Sequence, residues 1–483
     1  MSELNKQIAK ATKWSAMTEI MSRLLGPISS MVLARLLTPD AFGVVTTVMM
    51  IVSFAEVFSD AGFQKYIIQH EFQDETELEQ NTNVAFWSNF TMSMLLWGII
   101  ALFNQPLAKL VGNEGLGYVL VIACISIPLM AFSSIQMARY KRSLDFKTLF
   151  KVKLVGILIP LFVTIPFAIW LRSFWALIIG HIAKDLINAV VLTYYSAWRP
   201  RLYYSFQQFK EMFSFTIWSL FEALSIWLTA YVDVFIVGAY LNQHYLGLYK
   251  TSMVVVGYFT ATITAATTPI LFSSLSRLQN NDEEFKKLYF KFQKTIGILM
   301  FPLCFGIFCF RDLVTEILLG EKWMETSGFI GLWALTSCFV IVMSHYTGEV
   351  FRSKGKPRLS TIAQLLHIAV LCPAIAIAVR YDYVTLYVTR SLVRLEGILV
   401  SLIFLHHVIG ISLGDIIHNI KASLISSVCM ALFSLFLLSG NRPYWEQGMI
   451  AFISVCIYIG SIIVFKEERI ILLNFRERIK YKK

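Results

Sequence analysis

The chain has 483 residues, of which 57% are hydrophobic and 15% are charged, and its formal net charge is +11. A soluble globular domain carries about 25% charged residues, so this composition excludes a soluble protein and indicates a polytopic membrane protein. The seven cysteines lie in or beside apolar stretches. They predict buried free thiols, and neither a disulfide framework nor a metal site.

Apolar stretches that are long enough to cross a bilayer recur along the whole chain. They predict an all-α polytopic membrane protein with about 14 transmembrane helices. The predicted spans are residues 14–37, 43–67, 84–104, 117–138, 152–171, 174–197, 213–239, 246–274, 295–319, 326–350, 360–380, 383–406, 418–439 and 447–465.

The first span carries two charges inside its apolar run, Glu19 and Arg23. Each such charge costs roughly 2.5–3.5 kcal/mol near the centre of a bilayer on insertion scales, which makes a lipid-facing helix marginal. The two residues are four apart and share a helix face, so they are able to pair. We expect this face to line a water-accessible cavity of a transport pathway. The open alternative is a buried ion pair that joins two helices.

Positive charge is distributed unevenly between the predicted loops. When the N-terminus is placed in the cytoplasm, the inner loops and the termini collect about 30 of the 42 Lys and Arg residues, and the outer loops hold about seven. This distribution follows the positive-inside rule and predicts an even number of spans with both termini cytoplasmic. It also explains the basic balance without nucleic acid, because these cations lie where they contact anionic lipid.

The chain contains an internal repeat at an offset of 204 residues. Trp14-Ser15 matches Trp218-Ser219, and the stretch Leu36–Gly43 matches Tyr240–Gly247. Because six spans separate the two copies, both begin on the same side of the membrane. A parallel repeat of this kind is typical of transporters that move two lobes about a central site.

The opening of each half, followed by Phe54-Ala55-Glu56 and Ser59-Asp60-Ala61-Gly62-Phe63, resembles the polysaccharide transporter (O-antigen and exopolysaccharide, Wzx-type) flippase family. That family is part of the multidrug/oligosaccharidyl-lipid/polysaccharide exporter superfamily. The resemblance implies two pseudo-symmetric six-helix lobes around a central cavity, plus two C-terminal helices. It also implies transfer of an undecaprenyl-diphosphate-linked oligosaccharide from the inner to the outer leaflet.

The predicted spans and this resemblance together divide the chain into six segments. They are a cytoplasmic amphipathic N-terminus (1–13), an N-lobe (14–198), a basic cytoplasmic linker (199–212), a C-lobe (213–406), helices 13 and 14 (407–466) and a basic cytoplasmic tail (467–483).

Polar side chains within the spans form stripes at helical spacing, and ionisable groups inside a membrane by default face a cavity or a bundle interior. Arginine and lysine offset the charge of a diphosphate, and tyrosine offers sugar rings a flat face and a hydroxyl. The predicted substrate-binding residues of the central cavity are Arg23, Lys184, Arg390, Arg394, Tyr383 and Tyr387. The open alternative is pairing within the protein, of Glu19 with Arg23, Asp185 with Lys184 and Glu396 with Arg394.

Carboxylates inside the spans are candidates for binding a coupling ion, because their ionisation depends on access to water. The predicted ion-coupling residues are Glu19, Asp60, Glu222 and Asp233, with H⁺ or Na⁺ as the ion. The sequence shows no Walker A loop, metal-ligand cluster or nucleophile triad. It therefore predicts no catalytic residues, no metal site, no other cofactor and no enzymatic activity.

These observations predict a lipid-linked oligosaccharide flippase of the bacterial inner (cytoplasmic) membrane, which works by alternating access as an ion-coupled antiporter in polysaccharide biosynthesis. Its expected partners are the lipid-linked oligosaccharide and the phospholipid bilayer, with a polysaccharide polymerase and assembly proteins as further candidates. A multidrug or cation exporter of the same superfamily is the first alternative, although the cations within the spans disfavour it. A membrane enzyme of polysaccharide assembly is the second.

Overall fold

The computed structural model describes residues 3–59, 62–438 and 442–470, and within them the side chains of residues 3–9, 59, 214–219 and 222 lie outside the description. All regular secondary structure in these ranges is helical. The chain divides into two compact units, Met1–Lys250 and Thr251–Lys483. The prediction of an all-α membrane protein is confirmed.

The described helices of the first unit include one π-helical turn, Pro160–Thr164, between α8 (Phe146–Ile159) and α9 (Ile165–Leu171). The others are α1 (Glu3–Leu36), α2 (Pro39–Ser59), α3 (Phe63–Gln69), α4 (Glu75–Leu102), α5 (Asn104–Leu110), α6 (Gly117–Ala123), α7 (Ser126–Arg142), α10 (Trp175–Tyr195), α11 (Phe206–Tyr240) and α12 (Gln243–Arg277), whose first turns belong to this unit.

The second unit contains the rest of α12, a 3₁₀ helix at Glu321–Thr326 and a π-helical turn at Ile341–His345. Its other described helices are α13 (Asp282–Cys309), α14 (Arg311–Leu318), α15 (Ser327–Val340), α16 (Thr347–Ser353), α17 (Arg358–Ala378), α18 (Tyr383–Val393), α19 (Glu396–Ile409), α20 (Leu413–Leu437) and α21 (Tyr444–Ile463).

Thirteen helical segments within the described ranges are long and apolar enough to cross a membrane. They coincide with the second to the fourteenth predicted spans, from Pro39–Phe58 to Tyr444–Ile463. The 34-residue helix α1, which contains the first predicted span, is not among them. Charges along α1, including Glu19 and Arg23, lower its mean hydropathy. The helix also continues without a break through the predicted boundary at residue 13.

The first unit is organised around α7, which contacts α2, α3, α4, α8 and α10. One apolar cluster joins Val48 and Val52 of α2 to Leu120 of α6 and Ile127 of α7, all of them fully or almost fully buried. Helix α11 packs against α2, α3 and α4. The helix that was expected to open the C-lobe therefore contributes to the first compact unit, and the predicted lobes remain a prediction.

The second unit is built on α13, which packs against α15 and α20, while α20 packs against α21. The Tyr458 hydroxyl of α21 donates a hydrogen bond of 2.8 Å to the Ile298 carbonyl of α13. The Gln293 side-chain amide donates one of 3.1 Å to the Val342 carbonyl. Buried polar groups pay a desolvation penalty unless they are paired, so these bonds fix how α21 and the π-helical turn dock on α13.

The two copies of the internal repeat meet at the starts of α2 and α12, within the first unit. A Cβ atom placed on Gly43 would lie 1.8 Å from the Gln243 carbonyl oxygen, and one placed on Gly247 would lie 1.9 Å from the Pro39 carbonyl oxygen. The offset of 204 residues relates Pro39 to Gln243 and Gly43 to Gly247. Each helix start therefore contacts its own counterpart, and it does so closely because neither glycine has a side chain.

A polar contact also joins two equivalent positions of the repeat. His244 Nδ1 lies 3.3 Å from Asp40 Oδ2, and these two positions are also related by the offset of 204 residues. Contacts in which equivalent elements meet each other are characteristic of a two-fold axis. The contact supports the internal repeat that the sequence indicates.

Candidate functional site

Four predicted substrate-binding residues lie on α18 and at its C-terminal end, in the second unit. The guanidinium carbon of Arg394 lies 3.8 Å from the centre of the Trp333 ring, and that of Arg390 lies 5.0 Å from the same ring. Arg394 Nη1 also donates a hydrogen bond of 2.8 Å to Ser337 Oγ. Both arginines therefore contact the same side chain, Trp333 of α15, which is 9% exposed.

The groups that hold Arg394 are an indole ring and a hydroxyl, and neither carries a negative charge. A cation over an aromatic face gains about 0.5–2 kcal/mol while it keeps its charge. Glu396, which the sequence offered as a partner for Arg394, contacts His367, with 3.2 Å between Oε2 and Nδ1. The guanidinium of Arg394 is therefore held in place by contacts that do not neutralise it, which suits the binding of an anion.

The two tyrosines of α18 differ in their surroundings. Tyr383 is 6% exposed, and its hydroxyl lies 3.3 Å from Thr326 Oγ1. Tyr387 is half-buried and stacks on Phe329, with 5.4 Å between ring centres and 17° between ring planes. The rings of Tyr383 and Tyr387 contact edge to face at 5.4 Å. Tyr387 retains some exposed surface, whereas Tyr383 is packed inside the unit.

Lys184 lies on α10 of the first unit beside the buried Asp185. Lys184 Nζ is 3.6 Å from Asp185 Oδ1, and His181 Nε2 is 3.3 Å from Asp185 Oδ2. The Asp185 side chain is 3% exposed and that of Lys184 is 40% exposed. This geometry agrees with pairing inside the protein, the alternative that the sequence left open, while the exposed part of Lys184 still offers a cation to a ligand.

Glu19 and Arg23 form the pair that their spacing predicts. Arg23 Nη2 lies 2.6 Å from Glu19 Oε1, with side-chain exposures of 27% and 60%. The exposure of Glu19 argues against a buried pair that joins two helices.

The structure describes the side chains of only some of the carboxylates that are predicted to couple an ion. Asp233 is 3% exposed, and its carboxylate accepts hydrogen bonds from the Tyr249 hydroxyl at 3.0 Å and from the Val234 amide at 2.8 Å. Asp60 lies outside the described residues, and so does the side chain of Glu222, whose backbone belongs to α11. Asp233 thus has protein partners, and ion coupling at all four acids remains a prediction.

A cavity of about 450 Å³ between α2 and α11 was missed by the sequence analysis. Trp227 Nε1 donates a hydrogen bond of 3.0 Å to Ser53 Oγ, and the Trp227 and Tyr231 rings stack at 5.4 Å with 24° between their planes. Aromatic residues four positions apart on a span were the available signal, but apolar spans are rich in such residues. The charged and polar lining residues are Ser53, Glu56, Lys65, Trp227 and Tyr231.

The described residues bring together no group of three or more His, Cys, Asp or Glu side chains that would hold a metal ion. The two units offer guanidiniums, an ammonium group, aromatic faces and hydroxyls. Such groups bind polar and anionic ligands without covalent chemistry.

Comparisons with known proteins agree with this chemistry. A protein-family model described as "Polysaccharide biosynthesis protein" matches residues 32–328. The chain is similar to an uncharacterized membrane protein in the cps region of Klebsiella pneumoniae, at 21% identity over 77% of this chain and 76% of the relative. It is also similar to the lipopolysaccharide biosynthesis protein WzxC of Escherichia coli (strain K12), at 20% identity over 77% and 75%.

A solved structure establishes the fold class. The lipid II flippase MurJ, in an inward closed conformation, matches with a TM-score of 0.73 and 14% identity, over 94% of this chain and 99% of that chain. At this level of identity the likeness shows a shared fold.

Proposed function

Because the chain belongs to the polysaccharide biosynthesis protein family, we propose that it is a flippase for undecaprenyl-diphosphate-linked oligosaccharide repeat units. It moves them from the inner to the outer leaflet of the bacterial cytoplasmic membrane for cell-surface polysaccharide biosynthesis. Both termini lie in the cytoplasm, as the distribution of Lys and Arg favours. The names of the relative WzxC, a lipopolysaccharide biosynthesis protein, and of the structural neighbour MurJ, a lipid II flippase, support this substrate class.

The arginine pair on α18 carries the proposal. Arg390 and Arg394 are both seated on Trp333, and Arg394 is oriented further by Ser337. A diphosphate loses its hydration when it enters a region that excludes ions, and a preoriented guanidinium replaces that hydration with paired hydrogen bonds. In this proposal Arg23 and Lys184 supply further positive charge along the path.

Aromatic faces supply the contacts for the sugar. The apolar face of a sugar ring, with its C–H groups, packs on the negatively polarised face of an aromatic ring, and its hydroxyls bond to nearby polar groups. The partly exposed Tyr387 offers such a face in the second unit. Trp227 and Tyr231 offer two more in the first unit, next to Ser53 and Glu56. The buried Tyr383 supports the position of Tyr387.

A proton or sodium gradient drives the transfer in this proposal, through carboxylates whose ionisation follows their access to water. Glu19 suits this role because its side chain is 60% exposed and paired with Arg23. Protonation of Glu19 would release Arg23 for the substrate. In this coupling, Arg23 exchanges its contact with Glu19 for a contact with the substrate.

Translocation in reconstituted vesicles tests the proposal. The substrate is a radiolabelled undecaprenyl-diphosphate oligosaccharide placed in one leaflet, and its appearance in the other leaflet is measured under imposed H⁺ or Na⁺ gradients. We expect the wild-type protein to transfer it and the Arg390→Ala/Arg394→Ala variant to be at least tenfold slower, since a hydrogen bond to a charged group contributes about 1.5–3 kcal/mol. Substrate that stays in its original leaflet with wild-type protein under both gradients would contradict the flippase.

The matched control is Arg380→Ala, which removes an exposed cation from the same unit. This variant should transfer substrate at the wild-type rate. Equal rates for the control and for the arginine-pair variant would remove Arg390 and Arg394 from the substrate path, while leaving the transfer itself established.

Export of cationic drugs is the second candidate, because Glu56 lines a cavity together with Trp227 and Tyr231, and Lys65 of the same cavity weighs against it. A carboxylate beside aromatic faces attracts organic cations. Resistance to such drugs in a pump-deficient host separates the two functions. The flippase proposal expects no protection, whereas protection that is lost in Glu56→Gln would establish drug export.

A further inference from the structure

A pocket of about 380 Å³ lies where the C-terminal ends of α7 and α10 approach the start of α4, away from every residue assigned above. Its size falls in the range of small-molecule sites. Its charged side chains are Glu75, Arg139 and Arg142, and its polar side chains include Tyr140, Ser143 and Trp198.

Three hydrogen-bonding groups in this pocket have no partner. They are Arg139 Nη1, the Tyr140 hydroxyl and Trp198 Nε1, and each of these atoms is buried. Buried donors without an acceptor are rare in folded proteins, because each bears the full cost of losing its water. Three on the wall of one pocket indicate a ligand that supplies the acceptors.

The neighbouring contacts hold these donors in position. Trp198 is 6% exposed, its ring packs edge to face on Phe86 at 5.7 Å, and its carbonyl accepts a hydrogen bond of 2.9 Å from Ser196 Oγ. Arg142 donates through Nη1 to the His70 carbonyl at 2.6 Å. Arg142 is therefore committed to the protein backbone, whereas Arg139 Nη1 has no hydrogen-bond partner.

The chemistry of the wall selects an anion with several acceptor oxygens. An indole N–H and a guanidinium N–H only donate, and a tyrosine hydroxyl donates readily to a charged oxygen. The two arginines outweigh the single carboxylate of Glu75, which is exposed in the first turn of α4. A phosphate group meets these requirements because it carries negative charge and offers several oxygens in different directions.

We propose that this pocket binds a phosphate group. It lies at the ends of two candidate membrane spans, Gly117–Arg142 and Trp175–Tyr195. Headgroup phosphates of the bilayer lie at that depth, and basic pockets between spans are typical sites for anionic lipid headgroups. The site goes beyond the proposed transport function, because it shares no residue with the transport path.

Thermal unfolding of the full-length protein in detergent tests the site with three probes. Dioleoylphosphatidylglycerol carries the phosphate on a lipid, dioleoylglycerol has the same acyl chains without it, and inorganic phosphate supplies it in solution. We expect phosphatidylglycerol to raise the unfolding temperature of the wild-type protein and dioleoylglycerol to leave it unchanged. Stabilisation by inorganic phosphate alone would keep the phosphate site but overturn its assignment to lipid.

Two variants remove single donors: Tyr140→Phe keeps the ring, and Trp198→Phe keeps an aromatic side chain but a smaller one. Each should weaken the apparent affinity for phosphatidylglycerol about tenfold, as loss of one hydrogen bond to a charged group predicts. Without a phosphate probe, Tyr140→Phe should unfold at the wild-type temperature or above it, because an unpaired buried donor is gone, whereas Trp198→Phe should unfold somewhat lower, because the smaller ring leaves a cavity. For Tyr140→Phe, a weaker affinity for phosphatidylglycerol without a lower unfolding temperature distinguishes a ligand-binding role from a packing role.

Arg139→Gln should abolish the stabilisation, and the matched control Arg201→Gln should preserve it, since Arg201 is an exposed arginine of the same unit that pairs with Glu79. If Arg139→Gln fails to fold, the two phenylalanine variants still decide the matter. Unchanged stabilisation by phosphatidylglycerol in the Tyr140→Phe/Trp198→Phe variant would overturn the proposal.

Discussion

Trp333 is the shared contact of the two α18 arginines, because its ring centre lies 3.8 Å from the guanidinium carbon of Arg394 and 5.0 Å from that of Arg390. Planarity is essential here: a lysine ammonium keeps the charge but loses both the stacking and the fixed fork of donors. Ser337 adds a second constraint on Arg394. Substitution of Arg394 by lysine therefore separates the effect of its charge from the effect of its orientation.

Arg394→Lys should lower the translocation rate about tenfold or more while the protein inserts at its normal level. The loss of the stacking contact and of the Ser337 hydrogen bond is worth about 2–3 kcal/mol, part of which appears in the rate. Initial rates in vesicles at matched protein content measure the effect. Arg380→Lys is the control, and equal rates for the two variants would show that charge alone suffices at residue 394.

Helical periodicity predicted which residues share a helix face, and the substrate-binding roles assigned to them remain predictions. Spacing placed Arg390 and Arg394 on one face, and both do contact one ring. The identity of that ring was not predictable, because Trp333 is on another helix and only tertiary packing brings it there. On α11 the surroundings of Asp233 were likewise not predictable, because its carboxylate is buried and accepts a hydrogen bond from Tyr249.

At the scale of helices, the close approach of α2 and α12 depends on two glycines. Gly43→Ala and Gly247→Ala should each destabilise the protein by about 1–3 kcal/mol or more, because the new methyl group would overlap a backbone carbonyl that cannot rotate away. Thermal unfolding of the purified variants measures this change.

The control for these variants is Gly98→Ala on α4, where an added Cβ atom meets nothing within 4 Å. This change should leave stability unchanged or raise it by about 0.5–1 kcal/mol, since alanine favours the helix over glycine. Destabilisation of all three variants by the same amount would show that the effect is not specific to the α2–α12 contact.

Helix positions were predictable because apolar length is a local property. Thirteen of the predicted spans correspond to apolar helices, and α1 fails the same criterion through its own charges. Helix partners are not local. The packing of α11 on α2, α3 and α4, and the meeting of Arg139 and Tyr140 with Trp198, join segments that are distant in sequence and carry no shared pattern.

For the whole molecule, the decisive question is whether α1 crosses the membrane, which would give 14 spans and place both termini on one side. In a variant without its native cysteines, single cysteines at Ser2 and at Lys483 should react with an impermeant maleimide only from the cytoplasm. A cysteine at the exposed Glu114, between α5 and α6, should react only from outside. Labelling of Ser2→Cys from outside, with Lys483→Cys still labelled from inside, would show that α1 does not cross.

The meeting of α2 with α12 also bears on how such a chain arises. A half-length ancestor that used this surface would have bound a second copy of itself, and residue 40 would have faced an identical residue across the symmetry axis. Two aspartates opposed in that way repel each other. Fusion of the copies into one polypeptide allows the two sides to diverge, and the acid Asp40 now faces the imidazole of His244. The glycines, which serve both sides equally well, are the same in both halves.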